Sequence, residues 1–318
     1  MEPIQFKDYI LVKGLYASNL LNTFRAMRRD TMEARRVELL PPGLSGKTLQ
    51  NSLFPFLQDM QRAERADRPR LLDYGLFDKH VYMAKAYQPA KSLREVLDEL
   101  NRQMMSFHVV HALTLLKRLI TFFTIETQAS DHFCAIAPEH ILIAYDGDLL
   151  FDNEYLLHLL LKNGVATEKL GRCLAYCDPW FILQQRKAKG NILFSLGALL
   201  YEMLSGKALL PWQPDHYADA ARNMGKARSC DFDEAVDDEV VDIINRLVSL
   251  DRQERFADIK AAKRALDIYL DECDYTLGIF RFVHFLNRLF PGAYEQESRD
   301  RHQERRDYQA AVNKRAGD

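Results

Sequence analysis

The sequence has no long hydrophobic run, and this absence argues against a membrane-spanning protein. The longest nearly apolar stretch, 192–204, covers 13 residues and is interrupted by Ser195, Gly197 and Glu202. A helix that crosses a bilayer needs about 20 apolar residues. The first residues also lack a basic segment followed by an apolar one, so no secretory signal is predicted. We therefore expect a cytoplasmic protein with no membrane span.

Cysteine, glycine and proline are also scarce, with 5, 14 and 11 residues respectively among 318. So little glycine and proline excludes a collagen-like or low-complexity chain. The cysteines are odd in number and scattered, which argues against a disulfide framework and favours reduced thiols. Cys173 and Cys177 have a spacing of four, but no second pair of ligands accompanies them, so two ordinary thiols are favoured over a zinc site.

The chain has no excess of charge of either sign. Its 43 Lys and Arg residues oppose 45 Asp and Glu residues, which gives a net charge of −2 with neutral histidines. A nearly neutral chain has no general electrostatic attraction for nucleic acid or anionic lipid, so neither partner is expected. At roughly 150 residues per domain, the length suggests two domains, or one two-lobed domain with an extension.

Strands and one helix are predicted for the first ninety residues. The hydrophobic pattern places strands at 9–13, 23–26, 35–40, 70–74 and 81–85. A helix is predicted at 50–65, where apolar residues recur at helical spacing. This part of the sequence therefore indicates a small β-rich region.

Helices dominate from residue 88 onward. Ser92 and Glu95 have the spacing of a capping box, and the Asp146-Gly147 pair within 141–151 predicts a β-hairpin. Longer helices are predicted at 108–124, 192–204, 240–250 and 256–271.

The C-terminal segment has a different character. Phe282, Phe285, Leu286 and Leu289 form an apolar stripe at helical spacing. Such a stripe either packs back onto the helical region, which we favour because an exposed stripe promotes aggregation, or docks to a protein partner. Residues 295–307 are almost all charged, with both signs mixed, which indicates a solvated helix or a frayed tail.

Four segments resemble motifs of the protein kinase family, in the family's order. Residues 195–206 resemble the central helix motif S-L-G-x-x-L-Y-E-M-L-x-G, and 138–143 resemble the P-E-N-I-L-I of the catalytic loop. Residues 247–255 resemble the segment that ends in the large-lobe arginine, and 87–93 resemble the hinge and the next helix. The resemblance covers roughly residues 7–271 and is closest to bacterial Ser/Thr kinases.

The resemblance implies an α+β fold of two lobes. We expect a small β-rich lobe with one helix at 1–87 and a large, mainly helical lobe at 88–274. A C-terminal helical extension or tail is expected at 275–318. Because a fold does not determine an activity, each position that handles phosphate in the family has to be compared separately.

The resemblance places unusual residues at the positions that hold ATP in the small lobe. The three glycine-rich loop positions fall on Tyr16, Ser18 and Leu21, where side chains would obstruct the close approach of phosphate. The position of the ATP lysine is Glu38, and a carboxylate there would repel phosphate. The small-lobe glutamate corresponds to Asp59, so the family's ion pair would become two carboxylates.

The catalytic loop departs from the family in the same way. With Pro138 fixing the alignment, the catalytic base corresponds to Ala135, the loop lysine to Ala137 and the metal-binding asparagine to His140. An alanine cannot accept a proton. Only the second metal-binding position keeps its aspartate, as Asp152, and a single carboxylate is a poor Mg²⁺ site.

The arginine that ends the large-lobe motif also needs a new partner. The A-P-E motif, whose glutamate pairs with this arginine in the family, reads Asp-Pro-Trp at 178–180. We predict that Arg255 either pairs with Asp178 or Glu254 or is solvated.

The sequence therefore predicts a pseudokinase, a catalytically inactive kinase homologue that acts as a protein-interaction or regulatory module. One alternative is an ATP-binding sensor without turnover. The other is a weak or unconventional phosphotransferase or nucleotidyl transferase, with Asp152, Glu38, Asp59 and His140 as metal ligands. No cofactor is expected, and any binding of ATP and Mg²⁺ should be weak. A protein partner is expected, with the apolar stripe of the C-terminal segment as one docking surface.

Overall fold

The computed structural model describes residues 3–63, 65–129, 135–183, 191–232, 235–251, 253–273 and 279–317. Within it the chain forms two compact units. The first unit contains the residues up to Ala90, the segment Ala144–Asp146 and the C-terminal part from Leu286. The second unit contains Lys91–Ile143 and Gly147–Phe285.

A six-stranded antiparallel sheet forms most of the first unit. Its strands are β1 (Ile4–Phe6), β2 (Tyr9–Ala17), β3 (Asn22–Arg28), β4 (Ala34–Leu39), β5 (Leu71–Phe77) and β6 (His80–Ala86). Their order in the sheet is β1-β2-β3-β4-β6-β5. The five predicted strands are present, and β1 adds a sixth. This edge strand has only three residues, two of them exposed, so its pattern is too short to indicate a strand.

The two faces of this sheet differ in chemistry because successive residues of a strand point to opposite sides. One face carries a buried apolar cluster, which consists of Phe6, Tyr9, Leu11, Ala26, Val37, Leu39, Tyr82 and Ala84. The other face, called the polar face below, carries Lys13, Thr23, Arg25, Arg36, Glu38 and Lys85. The register brings these residues side by side, because Lys13 lies opposite Arg25, Arg25 opposite Arg36, Arg36 opposite Lys85 and Thr23 opposite Glu38.

One helix, α1 (Lys47–Arg62), follows β4 in the chain. It buries Leu49, Leu53 and Leu57, which recur every four residues along one side. The predicted helix at 50–65 is thus confirmed, although it begins at Lys47, directly after the N-cap residue Gly46.

The second unit is mainly helical. Its helices are α2 (Leu93–Arg102), α3 (Val109–Ala129), α4 (Leu156–Lys162), α5 (Pro179–Leu183), α6 (Ile192–Ser205), α7 (Pro214–Arg222), α8 (Asp238–Val248) and α9 (Ile259–Glu272). A small sheet of β7 (Ala90–Ser92), β8 (Ile141–Ala144) and β9 (Leu149–Phe151) accompanies them. The predicted capping box and hairpin are both present, since Ser92 and Glu95 cap α2 reciprocally and Ile141 pairs with Phe151.

Helix α6 is the most buried helix of this unit, with every residue except Tyr201 buried. Its C-cap residue is Gly206, whose φ of 67° is left-handed and suits glycine. Gly197 allows α8 to approach closely. A Cβ atom at this position would lie 2.5 Å from Val248 Cγ1 and 2.7 Å from Leu247 Cβ.

Two helices follow α9, namely α10 (Ile279–Leu289) and α11 (Ala293–Gly317). The sequence predicts a separate extension at 275–318, but contacts place the part from Leu286 onward in the same unit as the six-stranded sheet. The reason is a set of charged contacts along α11, described below. None of the helices in the described ranges is long and apolar enough to cross a membrane.

Candidate functional site

The loop between β2 and β3 contains two of the predicted glycine-rich loop positions, and its backbone amides are bonded within the loop. Ser18 Oγ accepts hydrogen bonds from the N–H groups of Leu20 and Leu21, at 3.2 and 3.0 Å. The Ser18 N–H in turn donates to the Leu21 carbonyl at 2.8 Å. Leu20 and Leu21 are buried, which anchors the loop. Amides that a glycine-rich loop offers to phosphate are here bonded to a serine hydroxyl.

Glu38, at the predicted lysine position, lies on the polar face of the sheet and is completely buried. Its carboxylate accepts a hydrogen bond from Lys85 Nζ at 2.8 Å and another from Arg36 Nε at 2.8 Å. Lys85 is itself only 1% exposed. The carboxylate expected to face phosphate is therefore neutralised by two cations on its own and the neighbouring strand.

Lys85 was not anticipated as a partner of Glu38, because only Arg35 and Arg36 are basic residues close to it in sequence. The two residues lie on strands β4 and β6, 47 positions apart in the chain. The signal that could have revealed Lys85 is its position at the end of the apolar run that forms β6, where a lysine needs a buried partner.

Asp59, at the position that the resemblance assigns to the small-lobe glutamate, lies on helix α1. Its side chain lies on the exposed side of α1, whereas Glu38 is buried in the sheet. The replacement of the family's ion pair by two carboxylates therefore stays a prediction. Leu49, Leu53 and Leu57 determine which side of α1 is buried, and Asp59 lies off that stripe.

The segment that corresponds to the catalytic loop is packed into the second unit. Ala135 and Ala137 are completely buried. The Ile136 N–H donates to Ser195 Oγ at 3.2 Å, and that hydroxyl donates to the Tyr176 carbonyl at 2.6 Å. The central helix therefore holds the loop through a serine hydroxyl that bridges two backbone groups.

His140 and Asp152 are brought together by the hairpin of β8 and β9. The Asp152 N–H donates to the His140 carbonyl at 2.8 Å, and the two side chains are 2% and 3% exposed for Asp152 and His140 respectively. Asn153, directly after Asp152, has a left-handed φ of 58°, and Glu154 is completely buried. Three consecutive polar residues are thus withdrawn from solvent at this position.

A buried ionic cluster in the second unit is not anticipated by the sequence analysis. Arg94 on α2 bonds to Glu202 on α6 at 2.9 Å, and its Nε lies 3.5 Å from a Glu139 carboxylate oxygen. Arg94 also donates to the Tyr176 hydroxyl, which donates to Glu202. The only sequence signal is that Glu139 and Glu202 each lie inside a kinase-like motif, next to apolar residues.

Burial and charge act in opposite directions in this cluster. Burial alone disfavours the guanidinium, but Tyr176, Glu139 and Glu202 together raise the pKa of Arg94 above its ordinary value. Burial, followed by the charge of Glu202, raises the pKa of Tyr176 well above its usual range. The cluster therefore consists of a charged arginine, two glutamate side chains and a neutral tyrosine.

Arg255 has one of the predicted partners. Its guanidinium bonds to the Asp178 carboxylate at 2.9 Å, and the side chains are 8% and 1% exposed respectively. Its Nε also donates to the Ser249 carbonyl at 2.6 Å. Glu254, the other suggested partner, instead pairs with Lys226 at the surface. Asp178 thus takes over from the glutamate that the family's motif provides.

The apolar stripe of the C-terminal segment is buried within the chain. Phe282, Leu286 and Leu289 are 4%, 0% and 6% exposed. Phe285 stacks on His111 with a centroid distance of 4.9 Å. The predicted packing onto the helical region is present for Phe282 and Phe285, which both contact His111.

The charged segment 295–307 forms a helix, as predicted, but one side of it contacts the sheet. Helix α11 places Glu304 on Arg25 and Asp300 on Lys13. The expectation of a solvated helix was wrong for this side of α11. The reason is that Lys13 and Arg25 on the polar face lie where they can pair with Asp300 and Glu304. In the described parts of the chain, no group of three or more His, Cys, Asp or Glu side chains is placed to hold a metal ion.

Solved structures of one protein kinase domain resemble this chain. The kinase domain of PknI from Mycobacterium tuberculosis has a TM-score of 0.62 and 12% sequence identity, over 86% of this chain and 98% of that chain. A double mutant of the same domain has a TM-score of 0.62 and 14% identity, over 83% and 96%. The chain has a protein kinase-like fold. No protein-family model matches the sequence, and no curated protein matches it.

At such low identity the similarity concerns the fold alone. The predicted α+β class is confirmed, with a first unit that contains the six-stranded sheet and a second, mainly helical unit. The activity depends on the individual residues and has to be argued from them.

Proposed function

We propose that this chain is a catalytically inactive homologue of protein kinases that acts as a protein-interaction or regulatory module. The observation that carries the proposal is the state of Glu38. In the kinase-like alignment it stands where a lysine would bind phosphate, and in the structure it is buried and bonded to Lys85 and Arg36. The Glu38 carboxylate is negatively charged and its partners are the cations Lys85 and Arg36, so it cannot replace a lysine that binds phosphate.

Two further features support the same proposal, one at the position where the family binds phosphate and one at the position of the catalytic base. The amides of Leu20 and Leu21 are bonded to Ser18 and thus already have acceptors. Ala135, in the position of the catalytic base, has a methyl side chain and is completely buried. A positioned general base contributes about 10²–10⁴-fold to such reactions, and no group at this position can supply that contribution.

The buried ionic groups support a structural role for several residues that resemble a kinase site. Glu139 and Glu202 belong to kinase-like motifs, yet they surround Arg94 of the same chain. Asp178 and Arg255 likewise pair with each other. These residues thus have partners within the second unit in the absence of a nucleotide, as expected of residues with a structural role.

The test of the proposal is a nucleotide titration combined with a transfer assay. Wild-type protein is titrated with ATP in the presence of Mg²⁺, of Mn²⁺ and of neither, with the unfolding temperature as readout. Transfer of label from γ- and α-labelled ATP to the protein or to a generic substrate is measured in parallel. We expect no shift in the unfolding temperature and no transfer.

The retained Asp152 favours two other candidates, an ATP-binding sensor without turnover and a weak or unconventional transferase. Saturable ATP binding without product would indicate the sensor. Label transfer that disappears in Asp152→Ala would indicate the enzyme. Either result would refute the proposal of an inert module. Asp219→Ala, at an exposed carboxylate on α7, serves as the matched control for the loss of a negative charge.

A further inference from the structure

The C-terminal helix α11 lies on the polar face of the six-stranded sheet and is held there by ion pairs. Arg25 Nε donates to a Glu304 carboxylate oxygen at 3.0 Å, and a second guanidinium nitrogen bonds to the other oxygen of Glu304. Asp300 lies 3.9 Å from the same guanidinium and 3.2 Å from Lys13 Nζ. Two cations of the sheet thus form ion pairs with two carboxylates of the helix, and the pair of Arg25 and Glu304 is bidentate.

The contacts continue toward the beginning of α11. The Tyr87 hydroxyl donates to the Glu297 carboxylate, and the Arg301 guanidinium lies 5.6 Å from the centre of the Tyr87 ring. Tyr294 packs against Tyr145 with a centroid distance of 5.4 Å. Contact residues therefore recur every three or four positions, so they form a single side of the helix.

The covered surface belongs to the face that bears Glu38. Arg25 lies opposite Arg36 in the sheet, and the neighbouring pair is Thr23 and Glu38. Directly opposed residues of antiparallel strands share a face. Helix α11 therefore lies on the sheet face that carries the position of the phosphate-binding lysine.

Arg25 determines which chemical group this surface binds. Its side chain is only 1% exposed, whereas Asp300 and Glu304 remain 28% and 23% exposed. A buried guanidinium requires acceptors, and a carboxylate that meets it with both oxygens is the preferred partner. The sheet therefore selects a carboxylate at this position, while the partially exposed rest of the contact is open to screening by salt.

We propose that the polar face is a recognition surface for an acidic helix, and that α11 is its intramolecular occupant. The partner is a helix of another protein that presents carboxylates at the spacing of Glu297, Asp300 and Glu304, and it binds when it replaces α11. This inference rests on the proposed function, since it specifies the partner of the interaction module. The surface then has a closed state, with α11 bound, and an open state in which Arg25 is exposed and Lys13 has lost Asp300 as its partner.

The test uses the full-length chain and a labelled synthetic peptide with the sequence of residues 291–310. In a release variant, Glu297→Lys, Asp300→Lys and Glu304→Lys remove the carboxylates that hold α11. We expect the peptide to bind this variant at least about tenfold more tightly than wild type, because its own α11 no longer occupies the surface. Adding Arg25→Glu to the release variant should abolish the gain, and a peptide carrying the same three lysines should not bind.

Equal affinity for wild type and the release variant would overturn the inference, as would binding that does not depend on Arg25. Should the triple substitution prevent folding, the single variant Glu304→Gln replaces it, with hydrogen exchange as the readout. We then expect faster amide exchange in 293–310, with exchange in β3 and β4 changed far less. Unchanged exchange in α11 would refute the inference. ATP binding by wild type would instead refute the proposed function and leave the peptide result unaffected.

Discussion

The ammonium group of Lys85 and the carboxylate of Glu38 form a salt bridge of 2.8 Å between the neighbouring strands β4 and β6. Both side chains are almost completely withdrawn from water, so each charge depends on the other. The cost of removing two charges from water can equal or exceed their mutual attraction, but a buried charge without its partner is strongly destabilising. This asymmetry makes the pair testable by substitution.

Lys85→Met should destabilise the protein substantially, because it leaves the Glu38 carboxylate buried with only Arg36. We expect a loss of about 3 kcal/mol in the free energy of unfolding, at the low end of the range for broken buried pairs. The double variant Lys85→Met with Glu38→Leu should recover most of this loss. Urea unfolding monitored by circular dichroism measures both values.

The matched control for this pair is Lys226→Met, which removes a lysine from the exposed pair with Glu254. Its effect should stay within about 0.5 kcal/mol, as is typical of surface ion pairs. A Lys85→Met protein as stable as this control would show that the buried pair contributes nothing, and would weaken the argument built on Glu38.

The Glu38 pair also shows what a sequence can and cannot predict. The strands themselves follow from alternating and β-branched residues, and the position of Glu38 follows from a kinase-like alignment. Lys85, by contrast, becomes a neighbour of Glu38 only through the register of two strands that are distant in the chain. A local pattern holds no information on such a register, so the neutralisation of Glu38 could not be foreseen.

The partner of Arg255 illustrates the opposite case. Because the fold fixes which segment lies beside this arginine, the loss of one carboxylate from the A-P-E position pointed to the nearest remaining ones. Asp178 is the partner, two residues before the lost glutamate position.

The docking of α11 was missed for a third reason. Mixed charges normally indicate a solvated helix. The spacing of Glu297, Asp300 and Glu304 indicates a contact only when the positions of the cations on the sheet are known, and the sequence does not show those positions.

Asp178→Asn should remove the ion pair with Arg255 while keeping the side-chain cap, in which an Asp178 oxygen accepts the Trp180 N–H at 3.0 Å. Because both charged groups are buried, we expect a loss of about 3 kcal/mol in the free energy of unfolding. Glu254→Gln, at the other predicted partner, should change it by less than about 0.5 kcal/mol. Similar losses for the two variants would contradict the assignment of Asp178 as the partner.

The Tyr176 hydroxyl predicts a dependence of stability on alkaline pH. Burial and the charge of Glu202 raise its pKa well above the usual range, so the folded state keeps the proton that the unfolded state releases near pH 10. The stabilisation from this group is therefore complete below about pH 10 and declines as the pH rises further, by up to about 1.4 kcal/mol per pH unit. Tyr176→Phe cannot release a proton, so its stability should fall less steeply.

Urea unfolding at a series of pH values from about 9 to 11.5 compares the two slopes. Tyr294→Phe, at a ring that is 46% exposed, is the control for the removal of a tyrosine hydroxyl at the surface. Parallel slopes for wild type and Tyr176→Phe would show that Tyr176 ionises as easily in the folded protein as in the unfolded chain.

Gly197→Ala should destabilise the second unit although alanine is the better helix former. The new Cβ atom would lie 2.5 Å from Val248 Cγ1 and 2.7 Å from Leu247 Cβ, so α6 and α8 have to separate. Overpacking of this kind costs about 1–3 kcal/mol, which exceeds the roughly 1 kcal/mol that alanine gains over glycine within a helix.

Gly14→Ala, where a Cβ atom meets nothing within 4 Å, is the matched control and should change stability by less than about 0.5 kcal/mol. A Gly197→Ala protein as stable as wild type would mean that α6 and α8 are not in close contact at this residue.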